Sequence, residues 1–208
     1  VPNYRIFQLA LPLDADERDL RREAARLLKV DADAIRSSRI ERKSVDARDK
    51  ADLRLVYRLV VDLDGAPKAR LPASVAAPAE DAPRWKAPKA ARRSGARPVV
   101  VGAGPAGLFA ALVLAEAGQR PLLLERGDPV ERRDQVIRGF FGGAELDPES
   151  NIQFGEGGAG TYSDGKLTTQ VRDENGRNRK VIDELIAAGA PPEIGWLAKP
   201  HVGTDRLI

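Results

Sequence analysis

Apolar and polar residues alternate from Tyr4 to Leu11, and the period of two predicts a strand. Read strictly, the alternation puts Arg5, Phe7, Leu9 and Leu11 on one face and Tyr4, Ile6 and Ala10 on the other. From Asp16 to Leu28 the period changes. Leu20, Ala24, Leu27 and Leu28 fall on one stripe of a helix, and Asp16 can cap it. A further strand is predicted over Ser37–Val45. The clearest is Leu53–Leu63, where Leu53, Leu55, Tyr57, Leu59 and Val61 point one way. The order β-α-β-β predicts a small α+β domain over residues 1–63, one helix on one sheet. The dense mixed charge of residues 42–50 reads as a solvated hairpin connection.

The pattern then disappears. Residues 64–96 are rich in Pro, Ala and Arg and read as an extended linker. Arg84, Lys86, Lys89, Arg92, Arg93 and Arg97 follow one another with no acid among them, and Trp85 sits in their midst. Such a run could grip single-stranded RNA. The plainer reading is a solvated linker whose tryptophan packs on a neighbouring domain.

Periodicity returns at residue 97. Val99–Val101 is a short apolar strand, Ala106–Ala117 a helix rich in Ala and Leu, and Leu122–Leu124 a second apolar strand. Gly102, Gly104 and Gly107 lie between the first strand and the helix in the order G-x-G-x-x-G, with Pro105 and Ala106 opening the helix. Gly102 allows a sharp turn, Gly104 lets a pyrophosphate approach the backbone, and Gly107 lets the helix pack on the strands. The helix N-terminus offers unpaired N–H groups to the anion. Glu125 closes the second strand, where a carboxylate can accept from ribose hydroxyls. Together these features predict a dinucleotide site. Pro98–Ala115 carries no charge, but three glycines and a proline break it up, which argues against a membrane helix.

Beyond Gly127, Asp128-Pro129 reads as a cap and first-turn pair, with Val130, Val136, Ile137, Phe140 and Phe141 on roughly helical spacing. Gly155, Gly157, Gly158, Gly160 and Gly165 then crowd one short stretch, beside Thr161, Ser163 and Lys166. That density implies backbone in unusual conformations or pressed against something. Free N–H groups there suit an anionic ligand, and the stretch is expected to order poorly without one. Val181, Ile182, Leu185 and Ile186 mark another helix, ended by Gly189. His201, the one histidine, reads as a packing or hydrogen-bonding residue.

Composition narrows the reading. The chain has 208 residues, 42% hydrophobic and 31% charged, which is a soluble globular composition. A net charge of +3 does not imply a nucleic-acid partner. The absence of cysteine excludes a disulfide-based redox mechanism and a thiolate metal site from this segment, and no metal ligand set is read from it. It fits a reducing, cytoplasmic compartment. The chain begins at Val1, contains no Met and ends on Leu207-Ile208, so a longer protein is expected.

RPVVVGAGPAGLFAALVLAEAGQRPLLLERG resembles the FAD-binding start of flavoproteins with two dinucleotide-binding domains. Together with SNIQFGEGGAGTYSDGKLTT, KPHVGTD and RKSVDARDK, it resembles the bacterial FAD-dependent dehydrogenases of uncharacterised function, often called NAD(P)/FAD-dependent oxidoreductases. The resemblance implies a Rossmann-type FAD-binding domain over 97–208, incomplete at its C-terminus. It implies FAD as cofactor, NAD(P)H as a candidate electron donor, and a small-molecule substrate. By resemblance, Gly102, Gly104, Pro105, Ala106, Gly107 and Glu125 hold the ADP half of FAD. Arg126 flanks the adenosine, Arg133 reaches the pyrophosphate, and Gly157, Gly158, Ser163 and Lys166 lie along the diphosphate, ribityl chain or flavin. Catalytic residues are not implied. Two other readings stay open: an RNA-associated flavoprotein that uses the N-terminal unit and basic linker, and a plain NAD(P)-binding module.

Overall fold

A computed structural model describes residues 2–67, 71–80, 82–89, 95–203 and 206–207. Arg92 and Arg93 of the basic run lie outside the described residues. The chain divides into two units, Val1–Pro83 with Pro192–Pro200, and Arg84–Pro191 with His201–Ile208.

The first unit is a four-stranded antiparallel sheet with one helix. Its strands are β1 (Asn3–Pro12), β2 (Ile35–Asp46), β3 (Arg54–Leu63) and β4 (Ala76–Pro78), in the order β2-β3-β1-β4. The helix, α1 (Glu17–Leu28), starts at Asp16. The Asp16 side chain accepts from the Arg18 and Asp19 amides, while the Asp19 side chain accepts from the Asp16 amide. This reciprocal cap fixes where the helix begins. The predicted stripe is the face that packs: Leu20, Ala24 and Leu28 are buried with Leu9, Tyr57, Leu59 and Val61 of the sheet.

Two sequence expectations change here. The strict alternation of β1 breaks, because its pairing with β3 shifts between Ile6 and Leu9. An irregularity of this kind reverses which residues face inward. Ile6 is therefore buried before the shift and Leu9 and Leu11 after it, whereas Phe7 is only half-buried. The linker also contains a strand: β4 pairs with β1 at Tyr4, Arg5 and Ile6. Three residues of Ala-Ala-Pro carry no period, so only the edge of β1 defines this strand.

The second unit carries β5 (Val99–Val101) and β6 (Leu122–Leu124), paired in parallel with Val100 opposite Leu123. Between them lies α2 (Pro105–Glu116), and α3 (Val130–Phe141) and α4 (Arg177–Ala187) follow. Gly118, at φ +79°, takes the chain out of the turn after α2. Lys180 of α4 bonds Glu116 of α2 and Glu184 of its own helix, both at 2.5 Å. The cap of α3 differs from the expected Asp128-Pro129 pair. Pro129 is the cap residue, and the Val130 amide donates to the Glu156 carboxylate at 2.9 Å. Among the described residues no helix is long and apolar enough to cross a membrane.

Candidate dinucleotide site

The turn from β5 into α2 is built by three glycines with separate tasks. Gly102 sits at φ +98°, a conformation that favours glycine, and its amide donates to Leu124 O at 2.7 Å, extending the β5–β6 pairing. Gly107 is held by packing. A Cβ there would lie 1.8 Å from Gly102 O. Gly104 is different: a Cβ there would meet nothing nearer than Gly158 Cα at 4.0 Å. The packing of the fold itself does not require glycine at 104, where a Cβ would only just touch Gly158.

Gly104 is the cap residue of α2 and provides no side-chain hydrogen bond, and Pro105 has no N–H. The amides of Ala106 and Gly107 therefore stand at the helix N-terminus without intrahelical acceptors. No acidic residue occupies this first turn. Free backbone donors and the positive end of the helix dipole suit a pyrophosphate.

Glu125 reaches across the same turn. Its Oε2 accepts the Ala103 amide at 2.6 Å and its Oε1 the Gly127 amide at 3.0 Å. The Ala103 amide first, then that of Gly127, holds the carboxyl below its ordinary pKa. The carboxylate is thus ionised and fixed, with the Arg126 and Gly155 amides also contributing to the lowering. Next to it, the Arg126 guanidinium stacks 4.0 Å from the Phe154 ring centroid and lies 3.5 Å from the Glu149 carboxylate.

Arg133 is fully buried. Its Nε donates to Asn151 O at 2.9 Å, Nη1 to Glu156 O at 2.6 Å and Nη2 to Ile152 O at 2.8 Å. Its guanidinium is committed to three backbone carbonyls at the start of the glycine-rich segment. Burial pushes its pKa down, opposed by Tyr162 and Glu125, and a guanidinium stays charged regardless. Tyr162 lies beneath it, ring centroid 4.9 Å from the guanidinium carbon, with a buried hydroxyl that has no partner among the described residues.

The glycine-rich segment follows a path defined by protein contacts. The missing side chain of Gly127 admits Gly155, whose Cα would lie 2.5 Å from a Cβ at 127. Gly155, at φ +117°, in turn faces Arg133, whose Cδ would lie 2.6 Å from a Cβ there. The Glu156 amide donates to Asp128 O at 3.1 Å and the Gly157 amide to Ala103 O at 2.8 Å. Gly158 is then set against Gly104 and Pro105. Gly157 and Gly158 thus stand at the turn beside Gly102–Gly107 and Glu125. Ser163 and Lys166 make their contacts farther along the segment. The Ser163 hydroxyl donates to Gly160 O and accepts the Gly165 amide, and Lys166 pairs with Asp164 at 2.7 Å. Lys166 also bridges His201 in the backbone, where the Val202 amide donates to Gly165 O at 3.0 Å. Among the described residues no cluster of three or more His, Asp or Glu could hold a metal ion.

Sequence reasoning missed Glu156 as the cap of α3 and Arg133 as the clamp on the loop. One acid within a glycine run was the only signal for the first. The second had none, since a buried arginine reads like an exposed one in sequence.

Part of this region resembles a known family. The model described as "FAD binding domain" matches residues 96–135, which span β5, α2, β6 and the start of α3. The match supports an FAD-binding family. Residues 3–62 match the model described as "Domain of unknown function (DUF8436)". An "Uncharacterized protein" of Clostridium beijerinckii (strain ATCC 51743 / NCIMB 8052) is 40% identical over 205 residues. That alignment takes in 98% of this chain and 38% of the relative, so the chain spans well under half of the relative's length.

Proposed function

We propose that this chain is the FAD-binding part of a flavin-dependent oxidoreductase acting on a small-molecule substrate. The observation that carries the reading is the uncapped N-terminus of α2 at Gly104, a glycine that packing does not require, with an ionised Glu125 fixed at the same turn. The amides of Ala106 and Gly107 would hold the pyrophosphate, and the Glu125 carboxylate, exchanging or sharing an amide bond, would accept from the adenosine ribose. Arg126 and Phe154 present a stacked planar surface for the adenine ring. Gly157 and Gly158 would border the pyrophosphate from the loop side. Arg133 acts through the loop, holding residues 151–156 in place. When bound, FAD supplies the hydride-accepting ring, and the protein orients it.

The RNA-associated reading loses support in the N-terminal unit. Arg5, on the sheet face away from α1, pairs with both oxygens of Glu41 at 2.8 and 3.0 Å, and Arg39 lies 3.9 Å from the same carboxylate. One carboxylate thus offsets one of these two guanidinium charges.

The test is equilibrium titration of the purified chain with FAD, NAD and NADP, read by flavin fluorescence and by displacement. Saturable FAD binding that Gly104→Val removes is expected. Tighter binding of NADP than of FAD would move the assignment to a nicotinamide module.

A further inference from the structure

Residues 192–200 return to the N-terminal unit and wall a cavity there. Lys43 gives both its backbone groups to this segment: its amide donates to Trp196 O at 2.7 Å, and its carbonyl accepts the Ala198 amide at 2.9 Å. The cavity is about 450 Å³, lined by Leu20 of α1, Ile40 and Lys43 of β2, Tyr57 of β3, and Glu193 and Trp196 of the returning segment. None of these residues belongs to the dinucleotide turn.

The charges of this cavity are unusual. The half-buried Lys43 ammonium stands 5.6 Å from the Tyr57 ring centroid and makes no ion pair among the described residues. The Glu193 carboxylate, on a different wall, also has no hydrogen bond or ion pair there. Asp16 lines the cavity too, but its carboxylate is already engaged by the Arg18 and Asp19 amides. One cation and one anion thus remain unmatched in a cavity whose lining also includes Leu20, Ile40, Tyr57 and Trp196. The half-buried Lys43 ammonium is costly without a partner, whereas Glu193 is exposed. A ligand carrying both signs on an apolar body would satisfy all of these groups.

We propose that this cavity binds a free α-amino acid with an apolar or aromatic side chain. The ligand carboxylate pairs with Lys43 and its ammonium with Glu193, and the side chain lies against Tyr57 and Trp196. A simple carboxylate would meet repulsion from Glu193, and a simple amine would meet repulsion from Lys43. The proposal assigns the N-terminal unit a ligand and does not depend on flavin binding.

The test uses the full 208-residue chain carrying Trp85→Phe, which leaves Trp196 as the one tryptophan reporter. L-phenylalanine and L-leucine are titrated against its emission, alongside 3-phenylpropionate and phenethylamine, which each lack one charge. A saturable response to at least one amino acid is expected, with both single-charge analogues at least about tenfold weaker. Lys43→Gln and Glu193→Gln should each weaken amino-acid binding by about tenfold or more while leaving the thermal midpoint nearly unchanged, since the backbone bonds of Lys43 persist. No saturable response to either amino acid up to about 10 mM, or equal binding of an analogue, overturns the proposal. So does amino-acid binding that is indifferent to both substitutions. The analogue comparison on otherwise unaltered cavity residues stands even if a variant fails to fold.

Discussion

The Gly157 amide donates to the Ala103 carbonyl at 2.8 Å, joining the glycine-rich segment to the dinucleotide turn. Ala103 is the residue whose amide Glu125 accepts, so one peptide neighbourhood links turn, acid and loop.

The amides of Glu156 and Gly157 should therefore exchange slowly in the ligand-free chain. This reverses the expectation from glycine content alone. The entropy cost of ordering, roughly 1–2 kcal/mol per residue, is offset by the Arg133 bonds and by backbone pairing. Hydrogen exchange followed residue by residue decides the point; random-coil exchange at both amides would show that these contacts do not persist.

Gly104 and Gly107 should fail in different ways. Gly104→Val should abolish FAD binding with a smaller loss of stability than Gly107→Ala, because a Cβ at 104 would meet no backbone closer than 4.0 Å. Gly107→Ala should cost roughly 1–3 kcal/mol or more, since its Cβ would collide with Gly102 O. Urea midpoints and FAD titrations on both variants separate the two effects.

Arg133→Lys should destabilise the second unit by about 3–5 kcal/mol. An ammonium cannot reach three carbonyls spread over residues 151–156, and buried carbonyls without donors are penalised. Chemical denaturation measures this, and a change under about 1 kcal/mol would contradict the clamp.

Much of this was legible in sequence, and the exceptions share a cause. Strand–turn–helix–strand around Gly102, Gly104 and Gly107 is written locally, in β-branched runs, glycines and an N-terminal proline. So are the Asp16 cap and the Leu20–Ala24–Leu28 stripe. The inward turn of Ile6 depends on a pairing shift against β3, and β4 exists only because β1 has an open edge. Arg133 and the returning segment at Trp196 depend on partners far along the chain. No local pattern encodes such meetings.

Stability should depend on pH through Glu125. Its folded pKa lies below the ordinary 4.5, so its contribution is full above that value and is lost as pH falls through the lower folded value. Glu125→Gln places an NH2 against one amide donor and should cost about 1.5–3 kcal/mol at neutral pH. The variant should also show a flatter fall in urea midpoint in this acid range. Parallel slopes for the two proteins would assign the acid sensitivity to other groups.

FAD should be held more tightly than NADP. Glu125 places a negative charge where a ribose 2′-phosphate would have to sit, and Arg126 is already shared between Phe154 and Glu149. Competitive titration should give at least about a tenfold preference, and Glu125→Gln should narrow it.

The tie between Lys43 and Trp196 also sets a schedule. β2 is an outermost strand, and its unpaired backbone groups are a template for joining another chain. The segment that occupies the groups of Lys43 is made roughly 150 residues later, about 8–30 s on a ribosome running at roughly 5–20 residues per second. Throughout that interval the nascent strand presents its edge to neighbours, guarded by the charges of Arg36, Arg39, Glu41, Arg42 and Lys43. Slower translation across the intervening region lengthens this exposure, so codon choice there becomes a determinant of soluble yield.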